Sequence, residues 1–216
     1  MHFIVLSSSR GTTFQSTIEA MQRGDLTATC LGLITDRSDR GCIEKAKAAG
    51  IPVFVVEKIA DEDRESYDKR VHLQIQKIVE KSQIANLQSP ILAAMGWMFI
   101  FTPWFIGQWK NRIINVHPAL LPKHGGKGMF GHHVHDAVLA AHETESGVTI
   151  HLMDEGVDTG KILVQKKCSV LPSDTSVSLQ ARVQELEKEW YPRVLEMIEN
   201  GQIVLPDITE GKVENV

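Results

Sequence analysis

The sequence predicts an α/β protein: a mostly parallel, twisted sheet with helices on both faces. Short apolar runs alternate with stretches whose apolar residues recur every three to four positions, the rhythm of strand–helix–strand crossover units. Polar, Gly- and Pro-rich segments punctuate them, as turns do. The composition, 43% hydrophobic and 23% charged over 216 residues, is that of a chain that folds around a core, not of a disordered one.

The first apolar run, His2 to Leu6, ends in Ser7-Ser8-Ser9-Arg10-Gly11-Thr12, after which Phe14, Ile18 and Met21 take up helical spacing. That is strand, polar turn, helix. Thr29 to Thr35 is the second strand, 42–50 a short helix stopped by Gly50, and Pro52 to Val56 the third strand. Tyr67, Val71, Ile75, Ile78 and Val79 mark a long helix within 61–82. Pro90 to Met95 and Arg112 to Val116 are the fourth and fifth strands, and the fifth runs into His117-Pro118. The following LLPKHGGKGMFG is too rich in Gly and Pro for helix or central strand; it is a loop, where α/β scaffolds commonly carry function. His133 to His142 reads as a helix, and Gly147 to Met153 and Lys161 to Val170 as strands. Thr175 to Ile198 is a long amphipathic helix with Leu179, Val183, Leu186, Trp190, Val194, Leu195 and Ile198 on one stripe. No repeat or linker interrupts the pattern, so one domain over 1–205 is expected, with a polar tail over 206–216.

A net charge of -4 gives no electrostatic reason for a nucleic-acid partner, which leaves small-molecule chemistry as the expectation. Cys30, Cys42 and Cys168 are odd in number and widely spaced, fitting a reducing compartment and neither a zinc site nor a disulfide framework. The N-terminal apolar run is too short for a signal peptide, and no run approaches a membrane span. A cytoplasmic protein without membrane partners is expected.

Four groups of residues invite a chemical reading. Alternation puts Asn115 and His117 on one face of a strand end, where open α/β sheets bind ligands. An amide and an imidazole side by side suit a developing oxyanion, although an ordinary polar strand end has the same composition. Asp158, in the Gly-bounded loop 154–160, is placed to lean toward His117 and hold it protonated, since a carboxylate within about 4–6 Å raises an imidazole pKa; a hairpin turn uses the same residues. The 7–13 turn suits either an anion at a helix N-terminus or a plain helix cap, and it lacks the GxGxxG and GxxxxGK[ST] patterns. His132, His133 and His135 do not share one helix face and no carboxylate cluster accompanies them in the sequence, so no metal is expected.

The Asn-x-His-Pro-x-Leu-Leu-Pro run at 115–122, joined to Gly-x-Thr-x-His at 147–151 and Asp-x-Gly at 158–160, resembles the phosphoribosylglycinamide formyltransferases, folate-dependent enzymes of purine synthesis. The resemblance covers almost the whole chain, including ESYDKR at 65–70, GWM at 96–98 and ARVQELEKEWYP at 181–192. It implies a formyltransferase-type Rossmann-like fold and transfer of a formyl group from 10-formyltetrahydrofolate, a co-substrate, to the amine of glycinamide ribonucleotide in de novo purine biosynthesis. It makes Asn115, His117 and Asp158 the catalytic trio. Gly11, Thr12, Thr13 and Arg64 become contacts to the substrate phosphate, Glu187 a contact to the glycinamide or ribose, and His151 a supporting residue. Trp97, Met98, Ile100 and Asp154 fall to the folate. Three features depart from the family pattern: Ser9-Arg10-Gly11-Thr12-Thr13 stands where Gly-x-Gly-Ser-Asn is usual, Phe99 stands where Arg is common, and 81–89 carries an insertion. The resemblance leaves room for another amine acceptor, such as an amino sugar, for a non-catalytic folate- or nucleotide-binding protein, and for a monomer or a homodimer. Methionyl-tRNA formyltransferases, by contrast, add a C-terminal domain, and formyltetrahydrofolate hydrolases an N-terminal regulatory one.

Overall fold

The computed structural model describes residues 1–84 and 89–207. Most of the expected insertion and tail, 85–88 and 208–216, lies outside the described residues. In chain order the elements are β1 (His2–Leu6), α1 (Thr12–Arg23), β2 (Thr29–Thr35), α2 (Cys42–Ala48), β3 (Val53–Val55), α3 (Arg64–Ser82), β4 (Ile91–Ala94), α4 (Pro103–Gln108), β5 (Ile113–His117), α5 (His132–Ala140), β6 (Glu145–Leu152), β7 (Ile162–Ser169) and α6 (Ser176–Glu199). The seven strands form one sheet in the order β3-β2-β1-β4-β5-β6-β7. Pairs from β3 to β5 are parallel, while β6 runs antiparallel to both β5 and β7, so the mostly parallel expectation holds.

β1 shows why an unbroken apolar run reads as a central strand. Phe3 and Val5 point into one core with Phe14, Ile18, Leu179, Val183 and Val194, and Ile4 and Leu6 into a second core with Tyr67, Val71, Ile75 and Phe105. All four β1 side chains are fully buried, as a strand covered by helices on both faces requires. The stripe on α6 lands as expected, and Tyr191, wholly buried, donates its hydroxyl to the Ile114 carbonyl at 2.8 Å, which ties α6 to β5. Thr175 starts α6 with a capping box to Ser178. The Asp63 carboxylate caps α3 by accepting the Ser66 amide at 2.9 Å. Among the described residues no helix is long and apolar enough to cross a membrane.

Candidate active site

The strand order reverses between β1 and β4, which opens a crevice at the carboxyl ends of the strands. Leu6 pairs with Ala94 and Ala94 with Asn115. The turn after β1, the segment after β4 and the end of β5 therefore leave the sheet side by side.

Four polar side chains meet there. Asn115 and His117 sit two apart on β5, and Asn115 pairs across the ladder with His151 of β6. His151 Nδ1 lies 2.9 Å from the Leu152 carbonyl, which can only accept, so this nitrogen carries the proton. Nε2 then accepts from the Asn115 amide at 3.3 Å. Asp158, in the β6–β7 connection with a left-handed φ of 59°, brings Oδ2 to 3.3 Å from His117 Nδ1 and Oδ1 to 3.6 Å from His151 Nε2. Its Oδ2 also accepts the Gly126 amide at 3.0 Å. Asp154 shapes this loop by accepting the Gly156 amide at 3.1 Å and the Thr159 hydroxyl at 2.6 Å. The sequence reading of this loop as a hairpin turn and its reading as the carrier of Asp158 are thus both correct.

The protonation of His117 differs from expectation. Burial holds the imidazole below its ordinary pKa, and Asp158 and the His124 carbonyl pull the other way without overcoming it. Asp158 is the reverse case: burial raises its pKa, but His151, the His117 charge and the Gly126 amide outweigh that and leave it below the ordinary carboxylate range. The free protein thus pairs an ionised Asp158 with a neutral His117 at neutral pH, not with an imidazolium. The sequence showed the carboxylate but not the depth of burial, 3% exposure for His117.

In the turn after β1 the Gly11 amide donates to the Ser9 hydroxyl oxygen at 3.0 Å, and the amides of the helical turn beyond it remain for a ligand. Gly11 begins α1 with a left-handed φ of 76°, and no side chain caps the helix. A Cβ at Gly11 would lie 2.8 Å from Cys42 Cβ, so the position requires glycine twice over. The unpaired amides of the first helical turn suit an anion. Thr13 donates its hydroxyl to Glu187 of α6 at 3.2 Å, which places Glu187 at the turn. Burial pushes the Glu187 carboxyl up to about 7, opposed by the Thr13 hydroxyl. Between the ordinary carboxylate range and pH 7 the folded chain keeps a proton that the unfolded chain has lost, so stability falls as pH rises through that window and stays low above it. Glu187→Gln is expected to stabilise the protein by up to roughly 3 kcal/mol at pH 8 and hardly at all at pH 4. Thermal melts at the two pH values check this; equal shifts at both would mean that Glu187 is not held neutral.

The 96–102 segment presents Met98 and Ile100 to solvent, 51% and 41% exposed, and folds Trp97 onto Tyr67, Phe99 and Phe101. The Trp97 indole nitrogen is buried without a partner among the described residues. Arg64 belongs to this segment: its guanidinium donates to the carbonyls of Ile100 at 2.7 Å and Phe101 at 3.3 Å. α3 starts beside the 96–102 loop, and the forked donor satisfies the open carbonyls there. Asp68, one turn on, accepts the Thr102 amide and hydroxyl, both at 2.7 Å.

A formyl transferase family model matches residues 1–195. The chain belongs to that family. A chloroplastic phosphoribosylglycinamide formyltransferase from Vigna unguiculata is 36% identical over 93% of this chain, which spans 61% of that relative's length. A phosphoribosylglycinamide formyltransferase from Haemophilus influenzae is 30% identical over 94% of this chain and 89% of its own. A solved phosphoribosylglycinamide formyltransferase from Coxiella burnetii superposes with a TM-score of 0.83 at 29% identity, covering 96% of this chain and 90% of that one.

In this formyl transferase family member three contacts escaped the sequence reading. His124 accepts from His117 through its main-chain carbonyl, at 2.8 Å from Nε2; a backbone acceptor leaves no trace in residue type. Glu143 reaches Lys123 and His124 across twenty and nineteen residues. Asp136 joins His132 and His133 so that ligand atoms of the three lie within 4.8 Å of one another, all exposed, while His135 is buried. The helical i, i+3 and i, i+4 spacings of Asp136 from the two histidines were the missed signal. Asp136 already accepts from the Ser176 hydroxyl, and the positive end of α5 opposes a cation there.

Proposed function

We propose that this protein transfers a formyl group from 10-formyltetrahydrofolate to the primary amine of glycinamide ribonucleotide in de novo purine biosynthesis. The observation that carries the reading is the convergence of Asn115, His117 and Asp158 in a crevice with an anion-ready turn on one side and an apolar, aromatic segment on the other. The names of the similar proteins support it.

In this reading the substrate phosphate sits at Gly11 and takes the amides of Thr12 and Thr13. Arg64, at the start of α3, is a second contact to the phosphate, Glu187 meets the glycinamide or ribose, and the folate lies along Trp97, Met98 and Ile100 near Asp154. The amine attacks the formyl carbon, and the carbonyl oxygen becomes negative. Asn115 and His117 donate hydrogen bonds to it, His117 through the N–H that its neutral ring already carries, and the anionic oxygen strengthens both bonds as its charge develops. Asp158 takes up the proton shed by the attacking nitrogen and passes it, through water, to the folate nitrogen as the formyl carbon–nitrogen bond breaks. His151 holds Asn115 and faces Asp158, a supporting role. The unit that does this is the domain 1–205, acting in the cytoplasm as a monomer or homodimer, without metal, nucleic acid or membrane.

The test is formyl transfer from 10-formyltetrahydrofolate with glycinamide ribonucleotide and an amino sugar offered in parallel. Transfer to the ribonucleotide at least a hundredfold faster is the expected result. Preferential transfer to the sugar would move the acceptor, and folate binding without transfer to either would leave a binding protein.

A further inference from the structure

Both ring nitrogens of His117 are taken by the protein itself. Nδ1 faces Asp158 at 3.3 Å and Nε2 lies 2.8 Å from the His124 carbonyl. The carbonyl and the ionised carboxylate both can only accept, so a neutral ring with one N–H donates to one of them, and the shorter 2.8 Å contact marks Nε2 as the donating nitrogen. A substrate oxygen reaches His117 only if one of these contacts yields. Asp158 is held by the Gly126 amide as well. Among the described residues the His124 carbonyl bonds only the His117 ring, so it is the contact that can be exchanged.

Something must hold that carbonyl in place. Glu143, between α5 and β6, accepts Lys123 Nζ at 3.0 and 3.1 Å and lies 3.4 Å from His124 Nε2. Its own amide donates to the Val138 carbonyl at 3.3 Å, which anchors it to α5. We infer that Glu143 is a positioning residue: through Lys123 and His124 it holds the His124 carbonyl on His117 Nε2, where that carbonyl stands in for the substrate oxygen. The substrate half of this rests on the formyl-transfer reading; the hold on His117 does not. Lys123 is largely solvated, so the clamp shifts the loop equilibrium severalfold and not by orders of magnitude. Apparent substrate affinity is reduced by the fraction of molecules in which the carbonyl occupies the ring.

Nitrogen-15 spectra of histidine-labelled, substrate-free full-length protein read the proton position directly. Wild type should show His117 protonated at Nε2. Glu143→Gln, and independently Lys123→Ala on an exposed side chain, should move a measurable share of that proton to Nδ1, toward Asp158. The KM for the formyl donor should fall roughly threefold with a smaller change in kcat. An unchanged His117 spectrum in both variants overturns the proposal. A changed spectrum in a protein that transfers no formyl group keeps the positioning role and sinks the substrate reading instead.

Discussion

His117→Ala is expected to lower kcat for formyl transfer by two to three orders of magnitude while leaving the KM for glycinamide ribonucleotide within a few fold. In the proposed mechanism the imidazole is one of two donors aimed at the oxygen that becomes negative, and losing one such donor typically costs about that much. In the proposed reading the ribonucleotide is bound elsewhere, by the 11–13 turn and Glu187, so its affinity should survive. His117 also faces Asp158 at 3.3 Å, so Asp158→Asn is expected to cost a comparable factor, and the double variant far less than the product of the two, because groups that act as one unit are not additive. Single-turnover assays separate these effects, with circular dichroism confirming the fold. A loss of less than tenfold in His117→Ala would remove it from the chemistry.

Gly147→Ala should be the most damaging single methyl group in the sheet. Gly147 lies on β6 opposite Lys167, and a Cβ there would be driven into the Lys166 carbonyl, with Leu120 Cδ2 at 2.8 Å. The Leu120 methyl is a side-chain end that can shift, but the Lys166 carbonyl is backbone and cannot move without its strand. The strands must part, and a loss of more than about 3 kcal/mol is expected from this combination of overpacking and a broken ladder. Gly107, in α4 with no atom within 4 Å of the corresponding position, provides the control: Gly107→Ala should stabilise by about 0.5–1 kcal/mol through the unfolded chain. Urea midpoints decide the matter, and a Gly147→Ala protein within 1 kcal/mol of wild type would mean that the β6–β7 pairing is far softer than its geometry indicates.

What the chain made legible follows the physics of pattern. Continuous burial of β1 and the 3.6-residue stripe of α6 are written in residue type, and both elements land within a residue or two of expectation. So is the chemistry that needs side chains, such as Asn115, His117 and Asp158. α4 was not legible, because six residues beginning at Pro103 are too few to show a period. The direction of β6 was not legible either, since alternation is the same for parallel and antiparallel strands. Backbone partners are silent in principle: the carbonyl of His124 and the amide of Gly126 belong to every residue alike. The neutral state of His117 was missed for a third reason, because it depends on how much protein is stacked over the ring, a property of the folded whole.

The junction between the parallel and antiparallel halves has a consequence for how the protein comes into being. β1 to β5 arise within the first 117 residues, and the partner that covers the outer edge of β5 begins only at Glu145. A nascent chain on the ribosome thus completes Asn115 and His117 well before His151, Asp158 and Tyr191 emerge to enclose them. Until then β5 is an open, apolar strand edge, the kind that recruits other chains. Ribosomal pausing between residues 117 and 152 should therefore expose newly made copies to chaperone capture or aggregation more than pausing after Tyr191 has emerged, and the active site closes only once His151, Asp158 and Tyr191 are out.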